Sequence, residues 1–145
     1  MPFRFPLAAV LLVREEAEKR EERALQKIQV DITRVLLQIE QLTVDIANTH
    51  IARERAMQKP IPAVELHSYL FKIQACEEAK KTLLKTLQAL ELDRDQQLKV
   101  YQAAHRDHET IIDMFNEQRE TYEQKQARSE QKSLDDIFGA RRHRS

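Results

Sequence analysis

Apolar side chains recur along this chain at alternating spacings of three and four residues, the period that keeps one edge of an α-helix apolar and turned toward a single partner. Early in the chain, Leu25, Ile28, Ile32, Val35, Ile39, Leu42 and Ile46 hold that spacing without interruption. Later, one register runs Leu66, Tyr69, Ile73, Cys76, Lys80, Leu83, Leu87, Leu90, Arg94, Gln97, Tyr101, Ala104, His108, Ile111, Phe115, Gln118 and Tyr122. Most of those positions are apolar, and the polar ones are scattered. Between the two runs, Lys59-Pro60-Ile61-Pro62 is a strong breaker, because each proline removes an amide donor and clashes with the preceding helical turn. The pattern predicts helices over about 7–57 and about 63–132, a turn at 58–62 and a tail at 133–145.

Two helices joined by so short a link pack as antiparallel neighbours. The predicted fold is therefore all-α, a single long antiparallel two-helix coiled-coil hairpin. Pivoting at the prolines sets facing residues to numbers that sum to roughly 121. Ile46 then meets Ile73 and Cys76, Ile39 meets Leu83, Leu11 meets Ile111, and Leu7 meets Phe115. In that register the second helix outruns the first beyond about residue 118.

The outward positions change the picture. With Leu25 as position a of a heptad, the f positions of the first helix are Val30, Leu37, Val44 and Ile51, which point away from the partner helix. The equivalent positions of the second helix are mostly charged (Glu78, Lys85, Lys99, Arg106, Asp113 and Glu120), with Phe71 and Leu92 as exceptions. A contiguous exposed apolar stripe marks a binding surface, so the back of the first helix is expected to dock a partner, with self-association as the competing explanation.

Composition agrees with a helical rod. One glycine and four prolines in 145 residues leave little material for turns, and 33% of the residues are charged. Glu15 with Lys19 and Glu16 with Arg20 are i,i+4 pairs in the favourable order. Lys plus Arg and Asp plus Glu each number 24, so no positive field is present to hold nucleic acid. A single cysteine, Cys76, excludes an internal disulfide framework and fits a reducing compartment. Leu7 to Val13 is apolar and follows Arg4, but it is short for a signal-peptide core and runs straight into Arg14-Glu15-Glu16. A cytoplasmic protein without a membrane-spanning segment is the expectation.

Candidate chemistry is sparse. Gly139 is the only glycine, which excludes a phosphate-cradling glycine-rich loop. His105 and His108, with Asp107 and Glu109, have the i,i+3 spacing of a partial metal site, but such sites need ligands converging from a second element. A hydrogen-bonded interface suits these histidines better, since His108 falls on the seam and the charged stretch near Arg14 lies opposite. Cys76 on the seam reads as a small core residue. Arg141-Arg142-His143-Arg144 is a short basic end, by default solvated. No catalytic residue, cofactor or metal is expected.

Both termini carry a family likeness. The opening Phe3-Arg4-Phe5-Pro6-Leu7, then Val10-Leu11 and Arg14-Glu15-Glu16, resembles the start of the FliJ family of flagellar export proteins. The close, Ala127-Arg128-Ser129-Glu130-Gln131-Lys132-Ser133-Leu134-Asp135-Asp136-Ile137 followed by Ala140-Arg141-Arg142, is similar to that family's final segment, and Tyr122 falls where the family often has a tyrosine. The stretch Glu109 to Ile112 departs from the family pattern, which has a lysine and a glutamate there.

The resemblance implies a stalk similar to the γ subunit of rotary ATP synthases, working in the flagellar type III export apparatus. It implies as partners the hexameric export ATPase, the cytosolic domain of the membrane export gate, and export chaperones. The location it implies is cytoplasmic, peripheral to the inner membrane. On this reading the ATPase-binding end comprises Phe3, Phe5, Leu7, Arg14, Arg106, Leu134, Asp135, Asp136, Ile137 and Phe138. The export gate would face Val30, Leu37, Val44, Ile51 and Phe71. Two alternatives stay open: the stalk of a virulence type III secretion system, and a self-associating structural tether.

Overall fold

The structure, a computed structural model, describes residues 2–144. It contains helix α1 (Ala8–Ala56, 49 residues) and helix α2 (Ala63–Arg144, 82 residues), with no strand among the described residues. The fold is an all-α, coiled-coil-like helical hairpin. Proline punctuates both helix starts. Pro6 stands just before α1, where a missing amide donor costs nothing, and the Phe5 carbonyl accepts the Ala8 N–H at 3.2 Å. At the other end, Arg53 and Arg55 occupy the last turn of α1, where cations complement the helix dipole. The chain then leaves the helix through bonds from Met57 N–H to the Arg53 carbonyl (2.9 Å) and from Gln58 N–H to Arg55 (3.3 Å). Pro62 restarts it: its carbonyl accepts the N–H groups of Glu65 (3.1 Å) and Leu66 (3.3 Å), and Glu65 places an acid in the first turn of α2.

The second helix continues past the end expected near Lys132, so the predicted tail at 133–145 is helical as far as Arg144. The reason is local. Residues 123–138 contain no proline or glycine, Gln131 Nε2 donates to Asp135 Oδ1 at 3.2 Å one turn on, and a lone Gly139 weakens a helix without ending it. Of the expected basic end, the Arg144 side chain lies outside the described residues, as does Ser145 of the expected tail.

The chain divides into two compact units. The hairpin unit, Glu22–Val100, carries the apolar seam. Ile32, Val35 and Ile73 are buried there, and the seam neighbours Leu25, Ile28, Ile39, Leu42 and Ile46 are half-buried, as are Leu66, Tyr69, Cys76, Leu83, Leu87 and Leu90 on α2. The same spacing continues from Ile46 to Thr49, which is buried because its hydroxyl is satisfied by the Asp45 carbonyl at 2.7 Å. Near the turn, Asp45, Asn48, Thr49 and Ala52 of α1 line one groove with Tyr69 and Lys72 of α2.

The terminal unit comprises the chain up to Glu21 together with the chain from Tyr101 onward. Its helices run antiparallel: Arg14 pairs with Asp107 at 3.5 Å, and the Phe5 and Phe115 rings meet at 5.3 Å. Those residue numbers sum to 121 and 120. Phe5, two residues before Leu7, is the residue whose ring meets Phe115. Pro6 ends the helix before Phe5, and the extended residues 2–5 reach farther along α2 than helical ones would. Phe3 consequently lies over Tyr122 at 5.5 Å, so α2 is covered beyond the expected residue 118.

Candidate partner-binding surfaces

In the terminal unit, the apolar ends of the chain are used in two different ways. Phe5 is buried, and Phe3 and Phe5 both pack on Phe115, at 5.6 and 5.3 Å, in edge-on geometry that suits the quadrupoles of the rings. The Arg119 guanidinium lies 5.7 Å from the Phe115 ring centre, a cation–π contact on the same cluster. Phe3 and Phe5 therefore face into the protein, and Leu7 is half-buried beside them. By contrast, Leu134, Ile137 and Phe138 are exposed, as are Arg14, Arg106, Asp135 and Asp136. Phe138 sits beside Asp135, Gly139, Arg141 and Arg142 in a shallow surface hollow of mixed charge.

The direction of those exposed residues matters. Continuing the α2 seam spacing past Tyr122 gives Lys125, Ser129, Lys132, Asp136, Gly139 and His143, which are polar or lack a side chain. At about 100° per residue, Leu134, Ile137 and Phe138 fall on the opposite side of the helix. The apolar face of α2 has changed sides beyond the aromatic cluster, so these residues are no continuation of the intramolecular seam.

Between the cluster and the end of the unit at Glu21 lies a polar layer. His105 Nδ1 hydrogen-bonds Glu18 Oε1 at 2.8 Å and its Nε2 lies 3.1 Å from Glu109 Oε1, while His108 Nδ1 hydrogen-bonds Glu18 Oε2. The hydrogen bond it makes to the Glu18 carboxylate holds His105 above the ordinary histidine range, against the opposing effect of burial and with further help from the Glu109 charge. The Glu18 carboxyl is held below its ordinary value, first by the His105 hydrogen bond and then by His108, again against burial. Among the described residues no grouping of three or more His, Cys, Asp or Glu is arranged to hold a metal ion. The sequence pointed to the histidines but missed Glu18. Stepping the α1 seam back from Leu25 by four, three and four gives Glu21, Glu18 and Arg14, which is the signal that finds it.

In the hairpin unit, Val30, Leu37, Val44 and Ile51 are between 45% and 61% exposed, and Phe71 on α2 is 76% exposed. Gln26, Gln29, Thr33 and Arg34 surround Val30 and Leu37 in a shallow apolar hollow. A second hollow is formed by Val64, His67, Ser68, Phe71 and Lys72. Sequence periodicity did not single out Leu12 and Val13 in the terminal unit, which are 60% and 63% exposed on the back of α1. Their only signal was inclusion in the apolar run Leu7 to Val13. No helix among the described residues is long and apolar enough to cross a membrane.

A helical hairpin with a buried heptad seam and unburied apolar side chains on its outer faces is the class these features define. The model of one protein family, described as the flagellar FliJ protein, matches residues 3–145, essentially the whole chain. The chain belongs to the FliJ family and is a component of the flagellar export apparatus. Comparisons with curated proteins and with solved structures return no match.

Proposed function

We propose that the protein is a non-enzymatic stalk of the flagellar type III export apparatus. Its terminal unit inserts into the hexameric export ATPase, through Leu134, Asp135, Asp136, Ile137 and Phe138 with Arg14 and Arg106, while Phe3, Phe5 and Leu7 shape that end from within. The stripe Val30, Leu37, Val44 and Ile51, with Phe71, meets the cytosolic domain of the membrane export gate. Export chaperones are further partners, and the site of action is the cytoplasmic side of the inner membrane. Family membership supports the setting. The observation that supports the two-partner reading is that exposed apolar side chains lie in hollows of unlike surroundings, Phe138 among Asp135, Arg141 and Arg142 on α2, and Val30 and Leu37 among Gln26, Gln29, Thr33 and Arg34 on α1.

A two-helix segment inside a six-fold ring cannot make six equivalent contacts. Differences in its affinity for the ring's conformational states then bias their equilibrium, and hydrolysis changes without any catalytic group on the stalk. Reconstitution with the cognate ATPase tests this. The protein should co-purify with the ring and change its rate of ATP hydrolysis, and Ile137→Asp with Phe138→Asp should abolish both effects. Absence of any complex, or unaltered hydrolysis, overturns the proposal. The exposed stripe also suits a second copy of the chain, and sedimentation separates the readings: a stalk is monomeric and a self-associating tether is not.

A further inference from the structure

The polar layer of the terminal unit has a property that the stalk reading neither uses nor requires. Along the α1 seam, Arg14, Glu18 and Glu21 stand where the hairpin unit has Ile and Leu, so apolar burial contributes little to holding α1 on α2 over this stretch. Arg14 and Asp107 join the helices at one end of the stretch (3.5 Å), and within it one carboxylate accepts from two imidazoles. We propose that Glu18, His105 and His108 form a proton-operated clamp, which holds the α1 turn around Glu18 on α2 most firmly while Glu18 is ionised and His105 is protonated.

The geometry supplies both halves of the switch. His105 has carboxylate oxygens at 2.8 Å from Nδ1 and 3.1 Å from Nε2, and only the imidazolium has a proton for each. Deprotonation leaves a ring nitrogen lone pair facing a carboxylate. Protonating Glu18 instead gives one of its oxygens a proton, and that oxygen then meets an N–H donor. The other charged groups of the stretch are largely committed elsewhere. On α1, Arg14 pairs with Asp107 (3.5 Å), Lys19 with Glu15 (3.2 Å) and Arg20 with Glu21 (3.5 Å). Glu22 is exposed next in line, and on α2 Arg106 is exposed and Glu109 is the second acceptor of His105. Tyr101 stacks on the His105 ring at 6.0 Å and fixes its plane.

The sign follows from the two groups. Stability contributed by His105 is fully present below its unfolded value of 6.5 and is lost as pH rises through its higher folded value. Stability contributed by Glu18 is present above its unfolded value of 4.5 and is lost as pH falls through its lower folded value. The clamp is therefore complete between pH 4.5 and 6.5 and loosens on either side.

Imidazole resonances of the full-length protein, titrated between about pH 4 and 9, test the clamp. His105 should titrate above 6.5. In Glu18→Gln its midpoint should fall. Amide protection over residues 15–21, corrected for the intrinsic exchange rate, should decline on the alkaline side in the wild type and stay level in the variant. A His105 midpoint at or below 6.5, or the same midpoint with and without Glu18, overturns the clamp. Should Glu18→Gln fail to fold, Glu109→Gln, whose side chain is exposed, must still lower the His105 midpoint, and no change there overturns it equally.

Discussion

In the hairpin unit the seam positions are Ile32, Val35 and Ile73, buried and apolar; in the terminal unit the corresponding positions of α1 are Arg14, Glu18 and Glu21, bonded to named partners or exposed. Apolar seams supply most of the free energy of helix pairing but tolerate slippage by a heptad, because one Leu or Ile layer resembles the next. Polar contacts of fixed geometry contribute little net stability but admit only one register, since a shifted register leaves donors and charges unpaired. The two units thus divide the work. The hairpin unit pairs its helices by a continuous apolar seam, while the terminal unit adds to an aromatic cluster a layer of polar contacts that the surroundings can loosen. Neither chemistry alone gives a hairpin with both strength and a unique register.

The largest expected effect breaks the first half of that comparison. Ile32→Asp places a carboxylate at an 8% exposed seam position where the neighbouring seam residues offer no cation. Burial of an unpaired charge should destabilise the hairpin unit by about 3 kcal/mol or more. Far-UV circular dichroism should show a much lower melting midpoint. An unchanged melt means that Ile32 is not in the seam.

A smaller effect belongs to the terminal unit. Phe5→Ala removes a 9% exposed ring from the aromatic cluster and should weaken the local closure by about 2–3 kcal/mol. Because the loss is local, amide exchange should speed up over residues 8–21 and stay slow over residues 28–46. Equal acceleration of both stretches would show that the terminal unit and the hairpin unit open together, and the contrast between them would lose its meaning.

The seam of the hairpin unit was legible in the sequence because period and apolarity coincide there over many turns. From Leu66 to Phe115 every position of the α2 register read from spacing is buried or half-buried, including the polar Lys80, Arg94 and Gln97. The terminal unit was less legible for a physical reason. Its contacts depend on side-chain geometry across helices, so His105 and His108 stood out by type whereas Glu18 was one acid among many in Arg14 to Arg23. The packing of Phe3 on Phe115 and Tyr122 was invisible to periodicity, because residues 2–5 are not helical and follow no heptad. Past Lys132 the apolar register no longer marks the helix, whereas helix propensity, which needs only local sequence, carries α2 on to Arg144.

That last stretch yields an effect of intermediate size and favourable sign. A Cβ added at Gly139 meets nothing within 4 Å, and the residue's φ is not positive. Gly139→Ala should therefore stabilise the end of α2 by about 0.5–1 kcal/mol, the usual helix-interior difference. Carbon-13 Cα shifts over residues 134–143 should move toward helical values. No movement would mean that this end is held in its helix by something other than backbone propensity.

The outward-facing apolar residues of the hairpin unit should matter least to stability. Leu37 and Val44 are large apolar residues of the hairpin unit, like Ile32 and Val35, yet they are 61% and 45% exposed. If apolarity in that unit served folding alone, replacing them would cost as much as replacing seam residues. Their exposure dictates otherwise: Leu37→Asp with Val44→Asp should change stability by no more than about 0.5 kcal/mol per site, because the new carboxylates remain in water. The same double variant should lose its complex with the partner that the stripe serves, while keeping its complex with the ATPase ring, since the terminal unit is untouched. A melt that collapses as it does for Ile32→Asp would place these residues in a seam and reverse the assignment of inner and outer faces. An intact melt with an intact gate complex would leave the register standing and remove the stripe as the docking surface. The two outcomes separate a wrong fold from a wrong function.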